Sequence, residues 1–362
     1  MAGGRWTAGI RFPRKQCCLS PTRAPVQPDR PDPFLRHGVH LKESIAMSAY
    51  PSEPRRRRRP ARPAGRLPGA VAARRLPRRL LAAVAVLLGL SGLAVPAAAA
   101  TRGSIADEYV ALGDSFAAGP LIFPQENFVP CFRSAVNYPH LVAKALGAKI
   151  FRDVTCSGAT TAHILTTRQA GLPIQLDAVS ARTSLVTLTI GANDIGLAGL
   201  GLSCFNALPE PAGVSCKDTQ TAGGADRGAQ KVDSAAPLIA AALDAIHAKA
   251  PRARILVTSY TDYIQPDGCY PIQPVWARDA SYIQGLVDRL ARVTERVAGS
   301  HHAEFVDLIT PAEGHDGCQL TQNWANVVVP GTTLGLVPLH PTALGERNFA
   351  RLVVAGLAGA RS

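Results

Sequence analysis

Five short apolar runs punctuate the chain beyond residue 104: Tyr109 to Leu112, Ala148 to Val154, Leu185 to Ile190, Ile255 to Ser259 and Glu304 to Leu308. Each has the length and apolar content of a buried β-strand. The segments between them carry helical spacing instead. Ile239, Leu243 and Ile246 share one face after Ser234 and Pro237, and Ile283, Leu286, Val287, Leu290, Val293 and Val297 share one face of a longer helix. A last helix is expected from Pro341 or Thr342, where proline suits a first turn, burying Phe349, Leu352, Val353 and Leu357. Strands alternating with helices predict an α/β fold, a parallel sheet covered on both faces. The stretches Gly196 to Gly228 and Thr261 to Val275 are rich in Gly, Pro and Cys and read as long loops, which are uncommon unless functional or tied down. No linker divides residues 101–362, so a single domain is expected there.

The formal charge of +13 changes this picture less than its size suggests. Residues 1–79 hold 19 Lys and Arg against 4 Asp and Glu, which leaves 20 against 22 for residues 101–362. The body is therefore nearly neutral, and no phosphate-tracking surface or nucleic-acid partner is expected. The basic segment ends in Arg74, Arg75, Arg78 and Arg79, followed by the apolar stretch Leu80 to Val95, Pro96, and Ala97 to Ala100. A basic region, an apolar core and small residues form a secretory signal, with cleavage expected near Ala100. The apolar core is too short for a membrane span. Residues 1–100 are thus a leader, and Met47 is an alternative start that shortens its basic region.

Cysteine usage agrees with export. Cys17 and Cys18 fall in the leader, and Cys131, Cys156, Cys204, Cys216, Cys269 and Cys318 remain as an even set. Disulfides are expected outside the cytosol, but six cysteines leave 15 connectivities open. No cysteine pair has zinc-site spacing, so no metal is expected.

Candidate chemistry lies just after the runs. Gly113-Asp114-Ser115 closes the first strand, Cys156-Ser157-Gly158 follows the second, Gly191-Ala192-Asn193-Asp194 follows the third, and Leu339-His340-Pro341 precedes the last helix. A serine hydroxyl needs a base to take its proton, and an ester carbonyl needs donors where its oxygen becomes an anion. Ser115 is the candidate nucleophile and His340 the candidate base. The backbone N–H groups of Ser115 and Gly158 and the side-chain amide of Asn193 are the candidate oxyanion donors. His163 lies close enough in sequence to Gly158 to line a site, although a helix surface suits it better. His301 and His302 read as a solvated turn, and Trp276 and Trp324 as core or as an acyl-binding wall.

These blocks resemble those of the SGNH hydrolases, also called GDSL lipases and esterases. Gly113-Asp114-Ser115 with Gly119 is similar to the first family block, Ser157 to Thr160 to the second, Gly191 to Asp194 to the third, and His340-Pro341 with Gly345 to the last. Phe116 replaces the usual leucine of the GDSL tetrapeptide. His315 to Cys318, Asn323-Trp324 and Pro338 to Pro341 resemble the secreted lipase and phospholipase branch. The resemblance covers residues 108–355 and implies a flavodoxin-like α/β/α sandwich with a Ser115, Gly158, Asn193 and His340 site. It also implies disulfides Cys131–Cys156, Cys204–Cys216 and Cys269–Cys318. Many members carry Asp three residues before the histidine, and here that position is Val337. A Ser115–His340 dyad oriented by a backbone carbonyl near Val337 is therefore expected, with Asp316 as the rival orienting group.

The expected activity is that of a secreted lipase, carboxylesterase or phospholipase, a monomer without cofactor, acting on a small-molecule or lipid ester and touching lipid surfaces transiently. A carbohydrate O-acyl esterase and a catalytically silent secreted binding protein are the alternatives, since fold alone does not establish function.

Overall fold

The computed structural model describes residues 104–359. The leader with its expected cleavage near Ala100, the alternative start Met47, and Cys17 and Cys18 lie outside them. β1 (Glu108–Gly113) is buried along its whole length and has a parallel neighbour on each side. On one side is β4 (Ile150–Asp153), and on the other β5 (Leu185–Thr189), β6 (Arg254–Thr261) and β7 (Glu304–Leu308) follow in turn. The sheet order β4-β1-β5-β6-β7 is the flavodoxin-like arrangement, with its reversal of direction between β1 and β5. All five expected runs are strands of this one sheet.

Strand order runs one way from β1 to β4 and the other way from β5 to β7, so crossovers of the usual right hand place the connecting helices on both faces. α2 (Tyr138–Leu146), between β1 and β4, packs with the terminal helix α8 (Ala343–Gly359). α6 (Arg227–Lys249) and α7 (Ala277–Ser300) pack with each other across the other face. Glu346 of α8 is fully buried and accepts from the Tyr138 N–H at 2.6 Å, so the two helices on the first face are joined by a polar bond as well as by packing.

Several elements differ from their sequence expectation. α6 begins at Arg227, capped by Asp226, and runs through Pro237 rather than starting after it. Proline removes one backbone donor there, and the buried stripe Val232, Ala235, Ile239, Ala242, Leu243 and Ile246 outweighs that loss. Gly196 to Gly228 is not a continuous loop: it contains α4 (Leu197–Ser203) and α5 (Cys216–Thr221), each too short to show periodicity. Chain-order elements before α2 are the single-turn α1 (Ser115–Ala118) and the hairpin β2 (Gln125–Asn127) with β3 (Arg133–Ser134); α3 (Thr161–Leu165) follows β4. The last helix starts at Ala343, one residue beyond the expected range, because the Thr342 hydroxyl accepts from the Gly345 N–H at 3.1 Å and so acts as its cap.

The six cysteines of the body form Cys131–Cys156, Cys204–Cys216 and Cys269–Cys318, the pairs that the family resemblance implies. Among the described residues no helix is long and apolar enough to cross a membrane.

Gly345 sits where a Cβ would overlap the carbonyl of Trp324, which is backbone and cannot rotate away. Gly345→Ala is expected to lower stability by about 1–3 kcal/mol through overpacking, read as a fall in the midpoint of thermal unfolding.

Candidate active site

Ser115 stands just past the carboxyl end of β1 because the chain turns sharply there. Gly113 has φ +151°, and a Cβ on it would come within 2.7 Å of the Thr189 carbonyl. That close approach lets the Asp114 N–H donate to Thr189 O at 3.0 Å, continuing the ladder with β5. Gln175 clamps the same glycine from the other side, accepting from its N–H at 2.8 Å and donating to its carbonyl at 2.9 Å. Asp114 then caps α1 by accepting from the Phe116 N–H at 2.9 Å. Ser115 is the first residue of that turn, so its own N–H has no intrahelical partner.

His340 reaches Ser115 from 225 residues downstream, with Nε2 2.7 Å from Oγ. Its loop is pinned to the segment after Trp324: Asn326 N–H donates to His340 O at 3.0 Å, Leu339 N–H to Val327 O at 3.0 Å, and Thr342 N–H to Trp324 O at 2.9 Å. The Nδ1 of His340 lies 2.7 Å from the carbonyl of Pro338, the residue after Val337. A carbonyl only accepts, so the ring proton belongs on Nδ1 and Nε2 presents its lone pair to the serine hydroxyl. Burial pushes the imidazole pKa below its ordinary 6.5, partly offset by that carbonyl bond. Asp316 makes no bond to His340. It is buried in a turn, where one oxygen accepts from the Cys318 N–H at 2.8 Å. The neighbouring His315 ring stacks on Trp324.

The other expected oxyanion donors, Gly158 and Asn193, lie on two further turns that follow β4 and β5. The backbone N–H groups of Ser115 and Gly158 have no acceptor among the described residues. Gly158 adopts φ +80° in an exposed turn, and the adjoining Ser157 N–H is tied to Cys131 O at 3.0 Å, beside the Cys131–Cys156 bridge. The Asn193 amide donates to Ala159 O at 2.9 Å, which places its turn against that of Gly158. Asp194 does not cap its own turn; it accepts from the N–H of Thr161 at 3.1 Å and from its hydroxyl at 2.6 Å, securing the start of α3.

Ser115, Asn193 and His340 line a slot whose walls are mostly apolar, among them Leu197, Ile264, Val275, Ile283, Val287 and Val327. Gly158 is not part of the slot lining, and neither tryptophan is. Trp276 is buried with its indole N–H on Leu208 O at 2.9 Å, and Trp324 packs under His315 and Phe349, so both belong to the core. His163 accepts from the Thr160 N–H at 3.0 Å in a capping box at the start of α3. His301 pairs with Asp244 and His302 stacks on His247. Among the described residues no three His, Cys, Asp or Glu side chains converge as they would around a metal ion.

Two residues at this site were not singled out in the sequence. Gln175 clamps Gly113, and Tyr260 links two of the turns: its hydroxyl donates to Asp114 Oδ2 and accepts from the Ala192 N–H at 3.0 Å. Tyr260 follows the fourth apolar run directly, a strand-end position at which a polar tip was a usable signal. Gln175 lies in a short turn with no such marker.

Residues 111–347 match the model of the GDSL-like lipase/acylhydrolase family. The chain is 35% identical over 289 residues to Lipase 2 of Streptomyces coelicolor, covering 77% of this chain and 95% of that protein. Among solved structures, the extracellular lipase of Streptomyces rimosus superposes with a TM-score of 0.55 at 27% identity, covering 69% of this chain and 100% of the other. Phospholipase A1 of Streptomyces albidoflavus NA297 gives 0.54 at 26%, covering 69% and 99%. With more than half of its length matched, the chain belongs to the GDSL-like lipase/acylhydrolase family.

Proposed function

We propose that the protein is a secreted lipase or carboxylesterase that works through a Ser115–His340 dyad. The observation that carries this reading is the 2.7 Å approach of Nε2 to Oγ with the Nδ1 proton held by Pro338 O. Nε2 takes the hydroxyl proton as Oγ attacks the ester carbonyl. The resulting oxyanion is met by the Ser115 and Gly158 N–H groups and the Asn193 amide. Collapse returns the proton from Nε2 to the leaving alcohol and leaves an acyl-serine, which water activated at the same imidazole hydrolyses. A low imidazole pKa keeps the base unprotonated at neutral pH. The chemistry calls for no cofactor.

The apolar slot beside Ser115 favours an acyl chain as the bound part of the ester. Contact with a lipid surface is supported by the segment 326–340, which holds no Asp, Glu, Lys or Arg and exposes Leu334 by 75% and Leu336 by 64% close to His340 in the chain. Three disulfides, the leader and the likeness to an extracellular lipase support export with cleavage near Ala100. Nucleophile and base come from one chain, so a monomer suffices.

A fluorophosphonate probe is expected to label the native protein and not Ser115→Ala, and hydrolysis of p-nitrophenyl esters is expected to fall on the order of 10⁴-fold or more in Ser115→Ala and His340→Ala. Absence of labelling in the native protein would favour a silent binding protein instead. Asp316→Asn is expected to keep kcat close to the native value; a loss on the order of 10⁴ would mark Asp316 as the orienting carboxylate and end the dyad reading.

A further inference from the structure

We infer that Tyr260 is a positioning residue for the reaction, its hydroxyl bracing the nucleophile turn at Asp114 against the turn that presents Asn193. This rests on the Ser115–His340 reading above and adds to it a group outside the four family blocks.

Tyr260 lies near the end of β6, two strands away from β1, and is almost fully buried. Its ring packs edge-on against Phe116, directly after Ser115, with centroids 5.3 Å apart. Its hydroxyl lies between two partners, Asp114 Oδ2 and the Ala192 N–H. The amide can only donate and an ionised carboxylate can only accept, so the phenol accepts from Ala192 and donates its proton to Asp114. Asp114 then receives two donors, Tyr260 Oη on one oxygen and the Phe116 N–H on the other. Ser115 follows Asp114 and Asn193 follows Ala192, so one hydroxyl sets the spacing of nucleophile and oxyanion amide.

The relay needs an ionised Asp114, because a proton on either oxygen displaces one donor. Burial and the nearby charge of Asp194 push the Asp114 carboxyl up, to about 7, while the Tyr260 and Phe116 donors hold it down. The other groups facing this pocket are Tyr263, whose phenol is raised by burial and stays neutral, and His340, whose pKa lies below the ordinary 6.5. The sign follows. The relay is intact above the Asp114 pKa and is lost as pH falls through it, whereas without the tyrosine hydroxyl it is absent at every pH.

The experiment compares kcat and KM for p-nitrophenyl acetate between pH 5 and 9.5 in the full chain and in Tyr260→Phe, which keeps the ring against Phe116. At pH 7 kcat is expected to fall about tenfold with KM little changed, the size of one lost hydrogen bond to a charged group. The loss is expected to be largest near pH 9, where Asp114 of the native protein is ionised and its relay intact, and to narrow towards pH 5, where the native protein loses the relay as well. An unchanged kcat, or an equal loss at every pH, overturns the proposal and leaves Tyr260 a packing residue. If Tyr260→Phe does not fold, Asp114→Asn serves: its profile is expected to lose the limb near 7 and keep the lower one of His340, and a native-like profile overturns the proposal. A native protein that hydrolyses no ester refutes the catalytic reading instead, so the two failures remain distinct.

Discussion

The parallel pairing of β1 with β5, carried one residue past its natural end by Gly113, is the constraint from which the site follows. Because Gly113 lies against Thr189 without a Cβ between them, two strand ends leave the sheet side by side at the point where strand order reverses. Their outgoing turns carry Asp114-Ser115 and Gly191-Ala192-Asn193. A bulkier residue at 113 would separate these turns before any catalytic side chain entered the problem. The helices on both faces bury the strands and leave their carboxyl ends as the open edge.

His340, the proposed base, is held more lightly than Ser115, the proposed nucleophile. Its orienting partner is a backbone carbonyl, which fixes the tautomer without adding a charge. A carboxylate in that place would stabilise imidazolium better and would carry a desolvation cost of its own. The half-buried ring with a lowered pKa is consistent with that choice, since little opposite charge stands near it. Rigidity comes instead from the ladder of backbone bonds that pins residues 339–342 to residues 324–327.

The disulfides serve the same edge. Cys131–Cys156 adjoins the Gly158 turn, Cys204–Cys216 joins the ends of α4 and α5, and Cys269–Cys318 joins the β6–α7 loop to the segment leading to Trp324. Each has both cysteines in segments outside the five-stranded sheet and the long helices α6 and α7, so cross-links supply order there that packing provides elsewhere. Two of these regions furnish slot walls, Leu197 and Gly201 from one, Ile264 and Val275 from the other.

The sequence by itself determined the five strands, the two long helices and the order of the blocks, because buried strands and amphipathic helices write their periods directly into residue choice. It also identified Ser115, Asn193 and His340 as chemically suitable groups in suitable places. α4, α5 and the β2–β3 hairpin left no comparable trace, being shorter than the windows in which a period can be seen, and the start of α6 was hidden by Pro237. Only the tertiary structure decided that Pro338 rather than Asp316 faces the imidazole, since every residue has a carbonyl and none advertises its direction. The same holds for Tyr260 and Gln175, whose partners lie 146 and 62 residues away. A hydrogen bond across such distances is set by how strands are ordered in the sheet, and that order is a property of the folded chain rather than of any local stretch of it.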